Sequence, residues 1–297
     1  MTKQRVKPES IVIIGTGRLA ANCVEACLEH SLSVLCLESE QLMFSPLASL
    51  CRKRGVEYRP AFERQMLTDF FLRIDKPTLV VSAFNYYIFP ASVLENPVLN
   101  VVNFHNSLLP RHRGRNAATW SIFNQDAVAG ITWHQVQARV DTGEVIIEKE
   151  IPIGTDTTAM DLTLKSLDLA AQAFREILPA LLTGSYSVQP VSRTDGASYH
   201  RSTEVPNDGW LDLGWSFARI YAFLRALDYG KFRILPPPRL RLLGRELTIT
   251  NYRWQRQPAP ANATNTIELN GNILQLRSGG AELSMTCEES KQDSKHE

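Results

Sequence analysis

Within the first hundred residues, short β-branched apolar runs alternate with helical patterns, and this alternation constrains the fold more than any other feature of the chain. Ser10 to Ile14 reads as a strand, Arg18 to Glu29 as a helix and Leu32 to Leu37 as a second strand, a βαβ opening. Helical patterns over Leu47 to Arg54 and Arg64 to Leu72, with strands at Thr78 to Ser82 and Val98 to Phe104, continue it. Parallel strands need crossover connections, so the expected class is α/β with a doubly wound, mostly parallel sheet. Ligands in such sheets bind beyond the carboxyl ends of strands. The last of these strands runs out at Asn103 and His105, which period 2 puts on one face.

The chain has 297 residues, enough for one large domain and a small one. The reading is a catalytic domain over 1–184, a polar linker over 185–208, a small domain over 209–288 and a disordered charged tail over 289–297. Thr157 to Leu182 reads as a long helix with Asp156 as N-cap and Gly184 beyond its end. Trp215 to Leu227 reads as an amphipathic helix. Short alternating runs then follow, with turns at Asn270-Gly271 and Gly279-Gly280, which suit a small β-barrel-like domain.

A net charge of +1 excludes a surface that is basic all over, as general nucleic-acid binding would require. No stretch reaches the roughly 18 apolar residues of a membrane span, and the polar start has no signal-like core, so a cytoplasmic protein is expected. Cysteines at 23, 27, 36, 51 and 287 form an odd set without Cys-x-x-Cys and read as buried thiols. Cys23 and Cys27 lie four apart on a helix, but no histidine or carboxylate pattern completes a metal site, so no metal is expected.

The chemistry-bearing residues cluster. Beyond Asn103 and His105 comes Ser107-Leu-Leu-Pro110, then breaks at Pro110 and Gly114. A second strand, Ile131 to Val136, leads to an exit loop carrying Asp141-Thr-Gly143. An amide, an imidazole and a carboxylate are thus expected to meet at one rim. His134 reads as a neighbour that orients the Asp141 loop. A rival signal is Gly15-Thr-Gly17 followed by Glu38, which imitates a dinucleotide fingerprint. Its bland reading is a tight strand-to-helix turn.

This constellation resembles the folate-dependent formyltransferases, with their Asn-x-His, Ser-Leu-Leu-Pro, Gly-Val-Thr-x-His and Asp-x-Gly segments. The likeness is dense over about residues 78 to 150 and looser over the first 200. It implies a methionyl-tRNA formyltransferase-like fold and Asn103, His105 and Asp141 as catalytic residues. It also implies a folate side formed by Phe84, Ile88, Phe89, Ser107, Leu108, Leu109, Pro110 and Val140. The implied co-substrate is 10-formyltetrahydrofolate, and the implied reaction passes its formyl group to a primary amine through a tetrahedral intermediate. Asn103 would donate to the developing oxyanion, His105 would stabilise it or move the released proton, and Asp141 would favour the imidazolium.

The segment Glu38 to Ser45 is short and acidic where tRNA-directed relatives carry a basic loop, which counts against tRNA. Asn116-Ala-Ala-Thr-Trp120 and Arg225-Ala-Leu-Asp-Tyr-Gly230 most resemble formyltransferase-like domains of peptide and polyketide assembly lines. The acceptor amine is therefore expected on a small molecule, an aminoacyl thioester or an amino sugar. The basic run Lys231, Arg233, Arg239, Arg241, Arg245, Arg253 and Arg256 suits a phosphate-bearing acceptor. The alternatives are hydrolysis of the formyl donor and a non-catalytic binding relative.

Overall fold

The computed structural model describes residues 6–39, 44–60, 63–191, 196–256, 266–278 and 280–289. The chain builds two compact units. One holds residues 1–117, 128–152 and 163–201, and the other holds 118–127, 153–162 and 202–297.

The elements up to residue 123 are β1 (Ser10–Gly15), α1 (Gly17–Cys27), β2 (Ser33–Glu38), α2 (Pro46–Arg54), β3 (Glu57–Pro60), α3 (Arg64–Leu72), β4 (Thr78–Ala83), α4 (Ala91–Leu94), β5 (Leu99–His105), β6 (Arg113–Gly114) and α5 (Ala117–Phe123). Then come β7 (Val128–Gln135), β8 (Val145–Pro152), α6 (Ala159–Thr183), β9 (Tyr199–His200) and α7 (Phe217–Ala226). The chain continues with β10 (Arg239–Leu242), β11 (Arg245–Arg256), β12 (Thr266–Asn270), β13 (Ile273–Ser278) and β14 (Ala281–Glu289).

The first unit is organised by a seven-stranded sheet of order β3-β2-β1-β4-β5-β7-β8. Its first five strands are parallel, and β7 and β8 join antiparallel. The central strands β1 and β4 are buried throughout, which is why they read as unbroken apolar runs. One cluster packs Val12, Ile14, Val80 and Val101 against Phe71, Tyr87 and Phe89. In the same unit, Trp133 packs on Phe174 at 5.2 Å and donates its indole N–H to the Ala170 carbonyl of α6.

The expected elements are present, with instructive differences, while the turn expected at Gly279-Gly280 involves Gly279, which lies outside the described residues. β3 has no apolar alternation because it is an exposed edge strand. α6 is capped by Thr158 and not by Asp156: the Asp161 N–H donates to the Thr158 hydroxyl, and the Thr158 N–H donates back to the Asp161 carboxylate. Within the stretch read as a linker, Gln189 bridges to Val145 and β9 pairs with β6, so backbone hydrogen bonds hold it to the first unit. The proposed tail beyond 289 lies outside the described residues.

The second unit carries a five-stranded antiparallel sheet of order β10-β11-β14-β13-β12. Its hairpin at Asn270-Gly271 forms as expected, and Leu274, Leu276, Leu283 and Met285 are buried. Within this unit α7 is capped by Ser216, and Phe223 packs among Phe123 and Trp215.

The dinucleotide-like motif has a structural use. The Glu38 carboxylate is buried and accepts hydrogen bonds from Thr16, Ser45 and Tyr58 at 3.3, 2.8 and 2.6 Å. It is thereby held inside the fold instead of facing a ribose. All five cysteines are free and buried.

Candidate active site

β5 delivers Asn103 and His105 at its end, paired with His134 and Thr132 of β7. Those four residues alternate with apolar neighbours, so all lie on one face of the sheet. Thr132 then fixes the chain beyond β5. Its hydroxyl donates to the Ser107 carbonyl at 2.7 Å and accepts from the Leu109 N–H at 3.3 Å. The Leu109–Pro110 peptide is cis, and the Ser107 hydroxyl donates to the Arg111 carbonyl at 2.5 Å.

The turn that follows supplies two backbone groups to the site. The His112 carbonyl accepts from His105 Nε2 at 2.9 Å, and the Gly114 N–H donates to Asp141 Oδ2 at 2.9 Å. This turn is held by residues 198–200. The Arg113 N–H donates to the Ser198 carbonyl, the Arg115 N–H donates to the His200 carbonyl, and the His112 N–H donates to the Ser198 hydroxyl. The His112 and His200 rings stack at 5.6 Å.

Asp141 arrives on the connection between β7 and β8 in a left-handed conformation, φ 50°. Its Oδ2 lies 3.4 Å from His105 Nδ1, and its Oδ1 lies 3.5 Å from His134 Nε2. His105 is 5% exposed and Asp141 8%, so the pair meets in a low dielectric. Burial pushes the His105 imidazole below its ordinary value, with Asp141 pulling the other way. Burial alone would raise Asp141. His105, His134 and the Gly114 N–H outweigh it and hold the carboxyl well below the usual carboxylate range.

At neutral pH the site therefore holds an ionised Asp141 beside a neutral His105. The bond to the His112 carbonyl requires the proton on Nε2 and leaves Nδ1 bare toward the carboxylate. Once protonated, the ring finds an acceptor for each of its N–H groups.

Asn103, His105 and Asp141 are thus brought together as anticipated. The proposed folate-side residues divide. Phe89 sits in the core against Phe71 and Tyr87, and Ser107, Leu108, Leu109 and Pro110 are buried in the loop beyond β5. Ile88 is half exposed, and Phe84 and Val140 are half-buried in the two loops that flank the triad. The basic run is partly spent within the second unit. Arg241 pairs with Glu246, Arg245 pairs with Glu289, and Arg239 donates to the Asp208 carbonyl and lies over Trp210.

The resemblance put Ser82 and Asn85 only within the segment Ser82 to Pro90 read as the folate-pocket loop, and missed that Ser82 donates to Asn103 Oδ1 at 2.6 Å with Asn85 behind it. It also missed the support of residues 198–200, because that support is mostly backbone hydrogen bonding across about 85 residues of sequence, which leaves no local signature. Among the described residues, no group of three or more His, Cys, Asp or Glu is placed to hold a metal, and no helix is long and apolar enough to cross a membrane.

The fold and this site define a one-carbon group-transfer enzyme of the N-formyltransferase class. The chain belongs to the formyl transferase family, whose model matches residues 10–178. It is 25% identical over 240 residues to the GDP-perosamine N-formyltransferase of Brucella melitensis biotype 1, covering 79% of this chain and 90% of that one. It is 31% identical over 175 residues to the methionyl-tRNA formyltransferase of Nitratidesulfovibrio vulgaris, covering 59% of this chain and 51% of the relative. The N-formyltransferase from Helicobacter canadensis, crystallised with folinic acid and dTDP-3-aminofucose, shares the fold. Its TM-score is 0.74 at 17% identity, over 95% of this chain and all of that one.

Proposed function

We propose that this chain transfers a formyl group from 10-formyltetrahydrofolate to the primary amine of a nucleotide-linked amino sugar. The observation that carries the reading is the convergence of Asn103, His105 and Asp141 with the backbone of Gly114 and His112. The amino-sugar acceptor is favoured by the nucleotide-linked amino sugars of the relatives that span most of this chain. The loop that carries Asn85 leaves Tyr86 and Ile88 at 41% and 51% exposure, apolar surface of the kind a pterin covers.

The formyl donor supplies an electrophilic carbon, and the protein's residues do the rest. Asn103 uses the Nδ2 hydrogen not bound to His134 as a donor to the oxygen on which negative charge develops. His105 accepts the proton that the attacking nitrogen must lose, and Asp141 stabilises the resulting imidazolium. Collapse of the tetrahedral species needs that proton back on the leaving nitrogen, which the imidazolium provides.

The test mixes the purified chain and 10-formyltetrahydrofolate with dTDP- and GDP-linked amino sugars, a carrier-bound aminoacyl thioester and methionyl-tRNA, and follows products by mass spectrometry. Formylated amino sugar that disappears in His105→Ala is the expected result. Formylation of the thioester or the tRNA alone would overturn the acceptor, and folate release without any formylated amine would overturn transfer in favour of hydrolysis.

A further inference from the structure

The amide of Asn103 can offer either a donor or an acceptor to the reacting oxygen, and only the donor serves the reaction proposed above. Nothing in the side chain itself chooses between them. The surrounding hydrogen bonds do, through a chain anchored at both ends in backbone groups.

At one end the Tyr87 N–H donates to Asn85 Oδ1 at 3.0 Å, which fixes that amide because a backbone N–H cannot accept. Asn85 Nδ2 must then be the donor to the Tyr87 carbonyl at 3.0 Å and to Ser82 Oγ at 3.2 Å. With its oxygen accepting from Asn85, Ser82 turns its own hydrogen to Asn103 Oδ1 at 2.6 Å. At the other end the Gln135 carbonyl can only accept, so His134 Nδ1 carries the ring proton across 2.8 Å. His134 Nε2 lies 3.1 Å from Asn103 Nδ2 and 3.5 Å from Asp141 Oδ1, and with the ring's single proton on Nδ1 it accepts from the Asn103 amide. With Nδ1 of His134 carrying the ring proton, both ends favour the same orientation of the Asn103 amide. Ser82 is 1% and His134 2% exposed, so water does not compete for these bonds.

We infer that Ser82, backed by Asn85, and His134 are positioning residues that lock Asn103 with its N–H toward the reacting oxygen. The inference rests on the formyl-transfer reading for its kinetic consequence, but the polarity of the chain is a property of the resting protein. Ser82 sits opposite Asn103 in the β4–β5 register, and Asn85 follows three residues on where β4 opens into its loop. A one-residue shift of β4 would move the hydroxyl to the other face.

The experiment has two arms. In the first, the ring nitrogens of His134 are assigned by NMR on the nitrogen-15-labelled wild-type chain at pH 7.5. A proton on Nδ1 with Nε2 bare is expected, and a proton on Nε2, in either the other tautomer or the imidazolium, would overturn the inference whether or not the chain transfers formyl groups. In the second, kcat and KM are measured for Ser82→Ala and Ser82→Thr. Loss of the hydroxyl leaves the amide held by His134 alone and its oxygen without a donor, so Ser82→Ala should lower kcat about ten- to a hundredfold, part of the loss seen when an oxyanion donor is removed. KM for the formyl donor should change less than about twofold, and Ser82→Thr, which keeps the hydroxyl, should recover most of kcat. Unchanged kcat in Ser82→Ala would overturn the role. A wild-type chain inactive on every amine would refute the proposed function and leave the tautomer measurement to decide the orientation.

Discussion

Replacing Asp141 by asparagine removes one charge and little else. The residue sits at φ 50°, a region asparagine tolerates better than most side chains, so the backbone has no reason to move. The amide oxygen still accepts from the Gly114 N–H. What disappears is the attraction between a carboxylate and an imidazolium whose nearest atoms lie 3.4 Å apart. At an effective dielectric of about 20, a unit pair at that separation is worth about 5 kcal/mol. The residual amide dipole and solvent relaxation recover part of this, so about 3–4 kcal/mol of transition-state stabilisation should be lost, a fall in kcat of about 10²- to 10³-fold.

The loss must fall on kcat. Burial favours a neutral His105 at rest, and in the proposed mechanism the charge it shares with Asp141 develops only as the amine gives up its proton. Single-turnover formyl transfer, with donor affinity measured separately by fluorescence titration, distinguishes the two effects. An Asp141→Asn enzyme that turns over within threefold of wild type would refute the electrostatic role, and a loss confined to donor affinity would move Asp141 from the chemistry to the pocket.

Gly114→Ala should cost about 2–4 kcal/mol and most of the activity, because φ is 89° and the new Cβ would fall 2.2 Å from the His200 carbonyl oxygen; unchanged thermal stability would contradict the clamp by residues 198–200. Acidification should destabilise the fold in two stages. His105 is held below 6.5, so its contribution is complete above that pH and declines below it as the unfolded chain binds the proton first. Asp141 is held below 3.8, so its contribution is complete above that pH and is lost as the pH falls toward its folded value. Calorimetry between pH 7.5 and 5 should therefore show a falling Tm whose slope lessens in His105→Gln, and equal slopes would count against a buried neutral His105.

The sheet and the triad were legible because each depends on local pattern. Buried parallel strands need continuous apolar runs, and Asn103, His105 and Asp141 belong to short motifs with fixed spacing. The edge strand β3 was not legible, because a strand exposed on most of its length carries no periodic signal. The same holds for residues 198–200, whose contribution is made largely by the carbonyls of Ser198 and His200. His134 was placed correctly beside the Asp141 loop, but its bond to Asn103 depends on the antiparallel register of β5 and β7, a tertiary fact. Ser82 looked like an ordinary residue ending an apolar strand, and its partner lies 21 residues away.

The antiparallel turn of the sheet at β7 explains how one carboxylate reaches two histidines. β7 runs back along β5, so it ends at Gln135 opposite Val102, well short of the strand end where His105 lies. The connection to β8 must therefore double back over His134 to bring Asp141 to His105. It does so by pressing its backbone onto β7: the Gln135 N–H donates to the Glu144 carbonyl, and a Cβ on Gly143 would lie 1.6 Å from the Gln135 carbonyl oxygen. That same carbonyl accepts from His134 Nδ1. The glycine of the Asp-Thr-Gly segment thus allows two things at once, the return of Asp141 to His105 and the backbone acceptor that takes the Nδ1 proton of His134. Any side chain at 143 should disturb the carboxylate and, through His134, the amide of Asn103 together.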